Sequence, residues 1–210
     1  MKFDYNCTKE FFTYQLTKPI FALIKLLRYD ITVEGTENVP RQGAFILASN
    51  HVHFVDPGVH ILHCPRVIHY MTKAEAFNWF FFGRVLKHVN CFPINRGRGD
   101  KAGLNYAIKL INEGKVIGIF PEGTRSKDLR PHEAKSGIAL IARETHADIL
   151  PASIYVDKNK GHRKMTVRYG KLIDYSELGL NDDSSSPEMR EAAAKVMDRI
   201  RSLWEEGHCK

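Results

Sequence analysis

The chain has 210 residues, 43% hydrophobic and 26% charged, with a formal net charge of +7 at pH 7. These are the proportions of an ordinary soluble globular protein of one domain, with enough chain to bury a core. The four cysteines (Cys7, Cys64, Cys91, Cys209) are scattered without a C-x-x-C pair, which excludes a zinc knuckle and a disulfide framework and fits reduced thiols in a cytoplasmic compartment. The basic excess attracts phosphate, anionic lipid, an acidic carrier protein or nucleic acid. No zinc finger, helix-turn-helix or RNA-recognition signature accompanies it, so nucleic acid is set aside. The first residues lack a signal peptide's apolar core, and no apolar run reaches the roughly 18 residues a membrane span needs.

Residues 8–27 read as an amphipathic helical lead. Phe11, Phe12, Leu16, Phe21, Leu23 and Leu26 supply its apolar part, and Lys9, Lys18, Lys25 and Arg28 its basic part. Pro19 divides it into two short helices. This composition suits a helix pair lying in a membrane interface or, equally, one packed on the core. The chain then alternates. Strands are predicted at 43–49, 66–72, 91–95, 115–121, 148–156 and 164–173, and helices at 57–63, 74–88, 101–113 and 135–146. Asp56 and Pro57 read as cap and first residue of the first of these helices, and Asp100 and Gly114 bound the third. A polar linker over 181–186, with capping serines, precedes a last helix from about Pro187 to Glu206 with a stripe of Ala192, Ala193, Val196, Ile200 and Leu203. The rhythm predicts an α/β fold: a mainly parallel sheet covered by helices on both faces.

Chemistry gathers where the predicted strands stop. The run Gly43–Ser49 breaks into Asn50-His51-Val52-His53-Phe54-Val55-Asp56. A loop there can hold one ring nitrogen of His51 outward and turn the other to the Asp56 carboxylate, the arrangement of a general base. The strand ending at Phe120 runs into Pro121-Glu122-Gly123-Thr124-Arg125-Ser126, and Cys91-Phe92-Pro93-Ile94-Asn95 delivers Arg96. Lys73 follows the strand 66–72. In an open α/β sheet, ligands bind at such strand exits. Guanidinium matches phosphate bidentately. Gly123 suits a tight turn that brings backbone close to a ligand. His51-Val52-His53 with Asp56 also invites a metal reading, but the spacing is poor and no third ligand is assembled. The aromatic run Asn78–Phe82 reads as core packing or as the wall of a groove or membrane seat. The basic stretch Lys158, Lys160, Arg163, Lys164, Arg168 and Lys171 reads as a solvated face or a meeting place for anionic lipid or an acidic carrier.

These blocks resemble the glycerolipid acyltransferase family, of the bacterial 1-acyl-sn-glycerol-3-phosphate acyltransferase type. The N-H-x4-D block is Asn50, His51 and Asp56, the second block ends at Arg96, and the F-P-E-G-T-R-S block is matched letter for letter from Phe120 to Ser126. The fourth is Ile149-Leu150-Pro151-Ala152, and the matches run from Val39 to Val156. One departure is His53, where the family often has serine. The resemblance implies an acyltransferase domain over 31–210 behind membrane-association helices at 1–30, acting peripherally at the cytoplasmic face of a membrane. It implies that His51 takes a proton from the acceptor hydroxyl, which attacks an acyl thioester, while Asp56 orients the ring. Arg96, Arg125 and Lys73 would clamp the acceptor phosphate. Glu122, Gly123 and Thr124 would lie in the acceptor site, with Glu122 equally suited to a structural ion pair with the arginines. The co-substrate would be acyl-CoA or acyl carrier protein, with no metal and no organic cofactor. Another lysolipid acceptor, such as a lyso-ornithine lipid, or a non-catalytic lipid-binding module of the same fold remain open alternatives.

Overall fold

The computed structural model describes residues 3, 5, 19, 22, 29–79, 82–95, 100–157 and 163–207. Seven strands form one sheet: β1 (Tyr29–Glu34), β2 (Phe45–Ser49), β3 (Ile68–Lys73), β4 (Phe92–Ile94), β5 (Val116–Ile119), β6 (Ile149–Val156) and β7 (Arg163–Tyr169). Their order is β1-β7-β6-β2-β5-β3-β4. Every neighbouring pair is parallel except β6 and β7, which are antiparallel. The helices are α1 (Asp56–His63), α2 (Phe82–His88), α3 (Lys101–Asn112), α4 (Gly137–Thr145) and α5 (Ser186–Glu205). The α/β class and the mainly parallel sheet are those the sequence predicts.

The central strands β2 and β5 are buried along their whole length, as strands covered on both faces must be. Successive side chains alternate between two cores. Phe45 and Leu47 pack with Ile68, Tyr70 and Val116 under Val59, Ile61 and Leu86 of α1 and α2. Ile46, Ala48, Ile117 and Ile149 pack under Tyr106, Leu110, Ile138, Ile141, Val196 and Ile200 of α3, α4 and α5. The chain leaves β2 through α1 on one face and leaves β5 through α4 on the other. Two adjacent strands whose exits diverge to opposite faces open a crevice between them, and that crevice is where such sheets bind ligands.

Four local expectations need correction. Strand β1 was absent from the sequence reading. It is a half-buried edge strand whose Tyr-Asp-Ile-Thr-Val-Glu run alternates apolar and polar side chains, and its partner β7 lies far along the chain. The helix expected over 74–88 is split into a 3-10 turn at Ala74–Asn78 and α2. The turn folds back so closely that a Cβ on Gly83 would lie 2.2 Å from the Phe77 carbonyl oxygen, an approach only glycine permits. The strand expected over 164–173 ends at Tyr169, and Ile173 returns as an isolated bridge to Ile149. Asp56 does not cap α1, whose cap residue is Val55. Its carboxylate serves the preceding loop, while Pro57 does sit in the first turn.

The remaining boundaries follow their caps. Asp100 accepts from the amides of Ala102 and Gly103, and Ser185 and Glu188 form a capping box on α5. The amphipathic lead over 8–27 lies outside the described residues except for Pro19 and Ala22. Among the described residues no helix is long and apolar enough to cross a membrane.

Candidate active site

The site begins with the way β2 ends. Ser49 pairs with Ala152 of β6, and the ladder then continues through a side chain. Asn50 Nδ2 donates to the Ile154 carbonyl at 3.0 Å, and the Ile154 amide donates to Asn50 Oδ1 at 2.7 Å. The carboxamide reproduces both halves of a backbone pair in a fully buried position. The main chain is thereby free to leave the sheet at His51.

Asp56 organises the loop that follows. Its Oδ2 accepts from the backbone amides of Val52 at 2.7 Å and His53 at 2.8 Å, and lies 2.7 Å from His51 Nδ1. An oxygen already receiving two N–H groups calls for a third donor, so the proton of the neutral ring sits on Nδ1 and Nε2 keeps its lone pair. Asp56 is fully buried, and Oδ1 has no hydrogen-bond partner among the described residues. A buried carboxylate interacts strongly with a cation formed beside it. His51 is itself partly open, with a side-chain exposure of 18%, so Nε2 is within reach of a ligand.

The loop after β5 is tied to this one. Glu122 Oε1 accepts the His51 backbone amide at 3.0 Å, and the Ser126 amide donates to the His51 carbonyl at 2.7 Å. Glu122 is buried, and burial raises its carboxyl pKa, opposed by donation from backbone amides that include that of His51. It forms no ion pair with an arginine among the described residues; its partners are main-chain groups. Gly123, at a φ of 70°, closes a turn by donating to the Phe120 carbonyl at 3.0 Å. Phe120, the first residue past β5, stacks on the imidazole of His51 with centroids 4.1 Å apart and planes 18° apart.

The basic side chains sit further out. Arg125 and Thr124 are exposed beyond the Gly123 turn. Lys73, at the end of β3, is 55% exposed and pairs with Glu75 at 3.2 Å. Arg96 lies outside the described residues, as do Phe80, Phe81, Lys158, Lys160, Cys7 and Cys209. Asn95 and Asp100 flank the 96–99 segment and are joined through the Asn95 amide at 2.7 Å. The structure therefore joins His51, Asp56, Glu122 and Gly123 in one contact network and leaves Thr124, Arg125 and Lys73 in water at neighbouring strand exits. The sequence reading missed Lys135, whose ammonium lies 3.3 Å from the position a Gly123 Cβ would take. Its amide donates to the Pro121 carbonyl at 2.9 Å, closing the loop on the far side of the motif. Only its placement ten residues past Arg125 could have hinted at this.

Other groups near the site have other roles. The His53 ring lies 6.0 Å from that of Tyr29, and its amide serves Asp56. Among the described residues no group of three or more His, Cys, Asp or Glu is placed to hold a metal ion. His60 is buried against the Tyr169 hydroxyl at 3.0 Å, and burial lowers its pKa to about 3, so it stays neutral. Cys64 and Cys91 are buried, and burial pushes the Cys91 thiol up to about 12, which keeps it protonated.

Comparison with known proteins finds relatives of this chain. Residues 30–155 match the model of the family described as Acyltransferase. A 1-acyl-sn-glycerol-3-phosphate acyltransferase of Bacillus subtilis is 33% identical over 196 residues, which is 90% of this chain and 96% of that protein. One from Borreliella burgdorferi is 35% identical over 133 residues, 61% of this chain and 52% of its own. In fold, the chain resembles the crystal structure of the 1-acyl-sn-glycerophosphate (LPA) acyltransferase PlsC from Thermotoga maritima. The TM-score is 0.70 at 24% identity, covering 92% of this chain and 77% of that one. With its β2 and β5 exits carrying the paired histidine and aspartate beside the F-P-E-G-T-R-S loop, this chain belongs to the acyltransferase family.

Proposed function

We propose that this protein transfers a fatty acyl group from an acyl thioester to the free hydroxyl of 1-acyl-glycerol-3-phosphate, giving phosphatidate. The acyl donor is carried by coenzyme A or by acyl carrier protein. The observation that carries the reading is the 2.7 Å contact of His51 Nδ1 with the buried Asp56, which leaves Nε2 as a free base on the rim. The names of the Bacillus and Borreliella relatives support the acceptor.

In this reading Nε2 removes the proton from the acceptor hydroxyl as its oxygen attacks the thioester carbonyl. The imidazolium, stabilised by Asp56, returns that proton to the thiolate as the carbon–sulfur bond breaks. Such base catalysis contributes about 10²–10⁴ in rate. The acceptor phosphate is held by Arg125, Arg96 and Lys73, joined by the Lys135 ammonium over Gly123. A charged hydrogen bond of this kind contributes about 1.5–3 kcal/mol. The step passes through no acyl-enzyme and calls on no metal or organic cofactor. The acceptor is a membrane lipid, so the rim faces a bilayer as a peripheral contact at its cytoplasmic side. Phe54 and Trp79, 55% and 64% exposed, support that orientation, because both lie on connections leaving this edge of the sheet.

The test is incubation with 1-acyl-glycerol-3-phosphate and either donor, read by product mass, beside a panel of other lysolipids. Phosphatidate from wild type and none from His51→Ala, with a native circular dichroism spectrum, is the expected result. Turnover by the variant near the wild-type rate would overturn the base assignment. Acylation of a different lysolipid only would overturn the acceptor.

A further inference from the structure

One hydrogen bond cannot fix an imidazole. The contact with Asp56 sets which nitrogen is protonated, but the ring still has a broad torsion about its bond to Cβ. The direction of Nε2 depends on what lies against the ring's face. Phe120 covers one face, nearly parallel at 4.1 Å. Phe120 is in turn stacked on Tyr70, with centroids 5.7 Å apart and planes only 11° apart. Tyr70 is buried, and its ring lies across the strand opposite it, over Gly118. A Cβ at Gly118 would lie 2.3 Å from Tyr70 Cε1 and 2.6 Å from Cδ1, contacts that a rigid ring in a packed core cannot accommodate without moving. Gly118 does not have a positive φ, so its lack of a side chain serves its neighbours, this ring first and then Ile68 Cγ2, 2.8 Å from the same position.

From these contacts we propose that Gly118, Tyr70 and Phe120 are positioning residues: a stack running from β3 across β5 to the exit of β2 that sets the plane of the His51 imidazole. The register supports it. Tyr70 pairs with Gly118, Phe120 follows two residues later on the same face of the strand, and Ala48 pairs with Ile119 so that His51 emerges beside Phe120. The stack fixes the plane and Asp56 fixes the edge, and together they leave Nε2 one direction in which to take a proton. Gly118 acts at a distance, through two rings, and touches neither the imidazole nor a substrate.

This inference rests on the reading of His51 as the base, and His51→Ala is the control that tests that reading separately. The measurement is steady-state kinetics of Phe120→Leu, Phe120→Tyr, Gly118→Ala and the double variant Gly118→Ala/Phe120→Leu, with melting temperatures alongside. Leucine keeps the bulk without the flat face. It is expected to lower kcat about tenfold or more, in line with the effect of sub-ångström misplacement, with KM for both substrates unchanged. Tyrosine keeps the face and should retain most of kcat. Gly118→Ala should lower kcat in the wild-type background but add little to Phe120→Leu, because its effect passes through the ring already removed. If leucine retains wild-type kcat, or tyrosine loses as much as leucine, the stack has no positioning role. Full additivity in the double variant would overturn the path from Gly118. Should Gly118→Ala not fold, the leucine and tyrosine pair decides alone. An inactive His51→Ala beside a fully active Phe120→Leu would sink the stack while leaving the base in place.

Discussion

The two halves of the rim are built differently. At the exits of β2 and β5, polar groups face each other in the interior: Asp56 binds three donors of the His51 loop, and Glu122 and Ser126 grip the His51 main chain from the other side. At the exit of β3, Lys73 and Glu75 meet in water with more than half of each side chain exposed. The first half has its hydrogen bonds made within the protein, so in the proposed mechanism the base would undergo little rearrangement during reaction. The second half holds charges that solvent screens and that gain strength only when a ligand displaces water. In the proposed reading, the base is pre-set by the fold, while the grip on the phosphate would be completed by the phosphate.

That contrast can be broken at its strongest point with Asp56→Asn. A carboxamide oxygen in the place of Oδ2 can still accept from both loop amides and from Nδ1–H, but it carries no negative charge to stabilise the imidazolium. A loss in kcat of about a hundredfold or more is expected, with near-native circular dichroism. Retained kcat would mean that the ring needs no acidic partner.

Glu122 tests the interior half for stability. Alanine leaves the part-buried His51 amide without its acceptor and should lower unfolding free energy by about 1–3 kcal/mol, read by chemical denaturation. Glutamine can still accept from that amide. Burial raises the Glu122 pKa, so the neutral form is the one the fold favours. Its contribution is therefore fully present below the ordinary carboxylate value of 4.5 and is lost as pH rises through the folded value. Glu122→Gln should accordingly gain on wild type as pH climbs through that window; wild type gaining instead would reverse the assignment.

The outer half should respond in affinity. Arg125→Ala is expected to raise the acceptor KM about tenfold and to leave the donor KM unchanged; equal losses for both would count against a phosphate contact. The smallest effect is reserved for Lys73→Ala, which should change stability by less than about 1 kcal/mol, because its pairing with Glu75 is exposed. A larger change in the melting curve would place Lys73 with the interior half instead.

What the sequence made legible follows the same division. The continuous apolar runs of β2, β5 and β6, the caps at Asp100 and Ser185, and the nearness of His51 to Asp56 are local signals, and each is found where it was expected. Strand β1 alternates strictly, Tyr29, Ile31 and Val33 against Asp30, Thr32 and Glu34, so its period was legible and was missed; its partner, more than a hundred residues away, was not. Glu122 is the same letter in the sequence whether it meets a guanidinium or a main-chain amide, so its inward turn is a tertiary fact. The stacking of Phe120 on His51 depends on the register of three strands, which no single segment encodes. Lys135 reaches Gly123 through the closure of an irregular loop with no periodicity to read.

The side-chain rung between Asn50 and Ile154 carries a wider consequence. It asks of the first motif position a peptide mimic and nothing reactive. Aspartate there would set oxygen against oxygen at the Ile154 carbonyl, and leucine would strand both main-chain groups, although neither change touches the imidazole. A residue can thus be indispensable to a reaction by doing the work of a backbone, letting the chain depart one step early while the sheet beneath it stays whole.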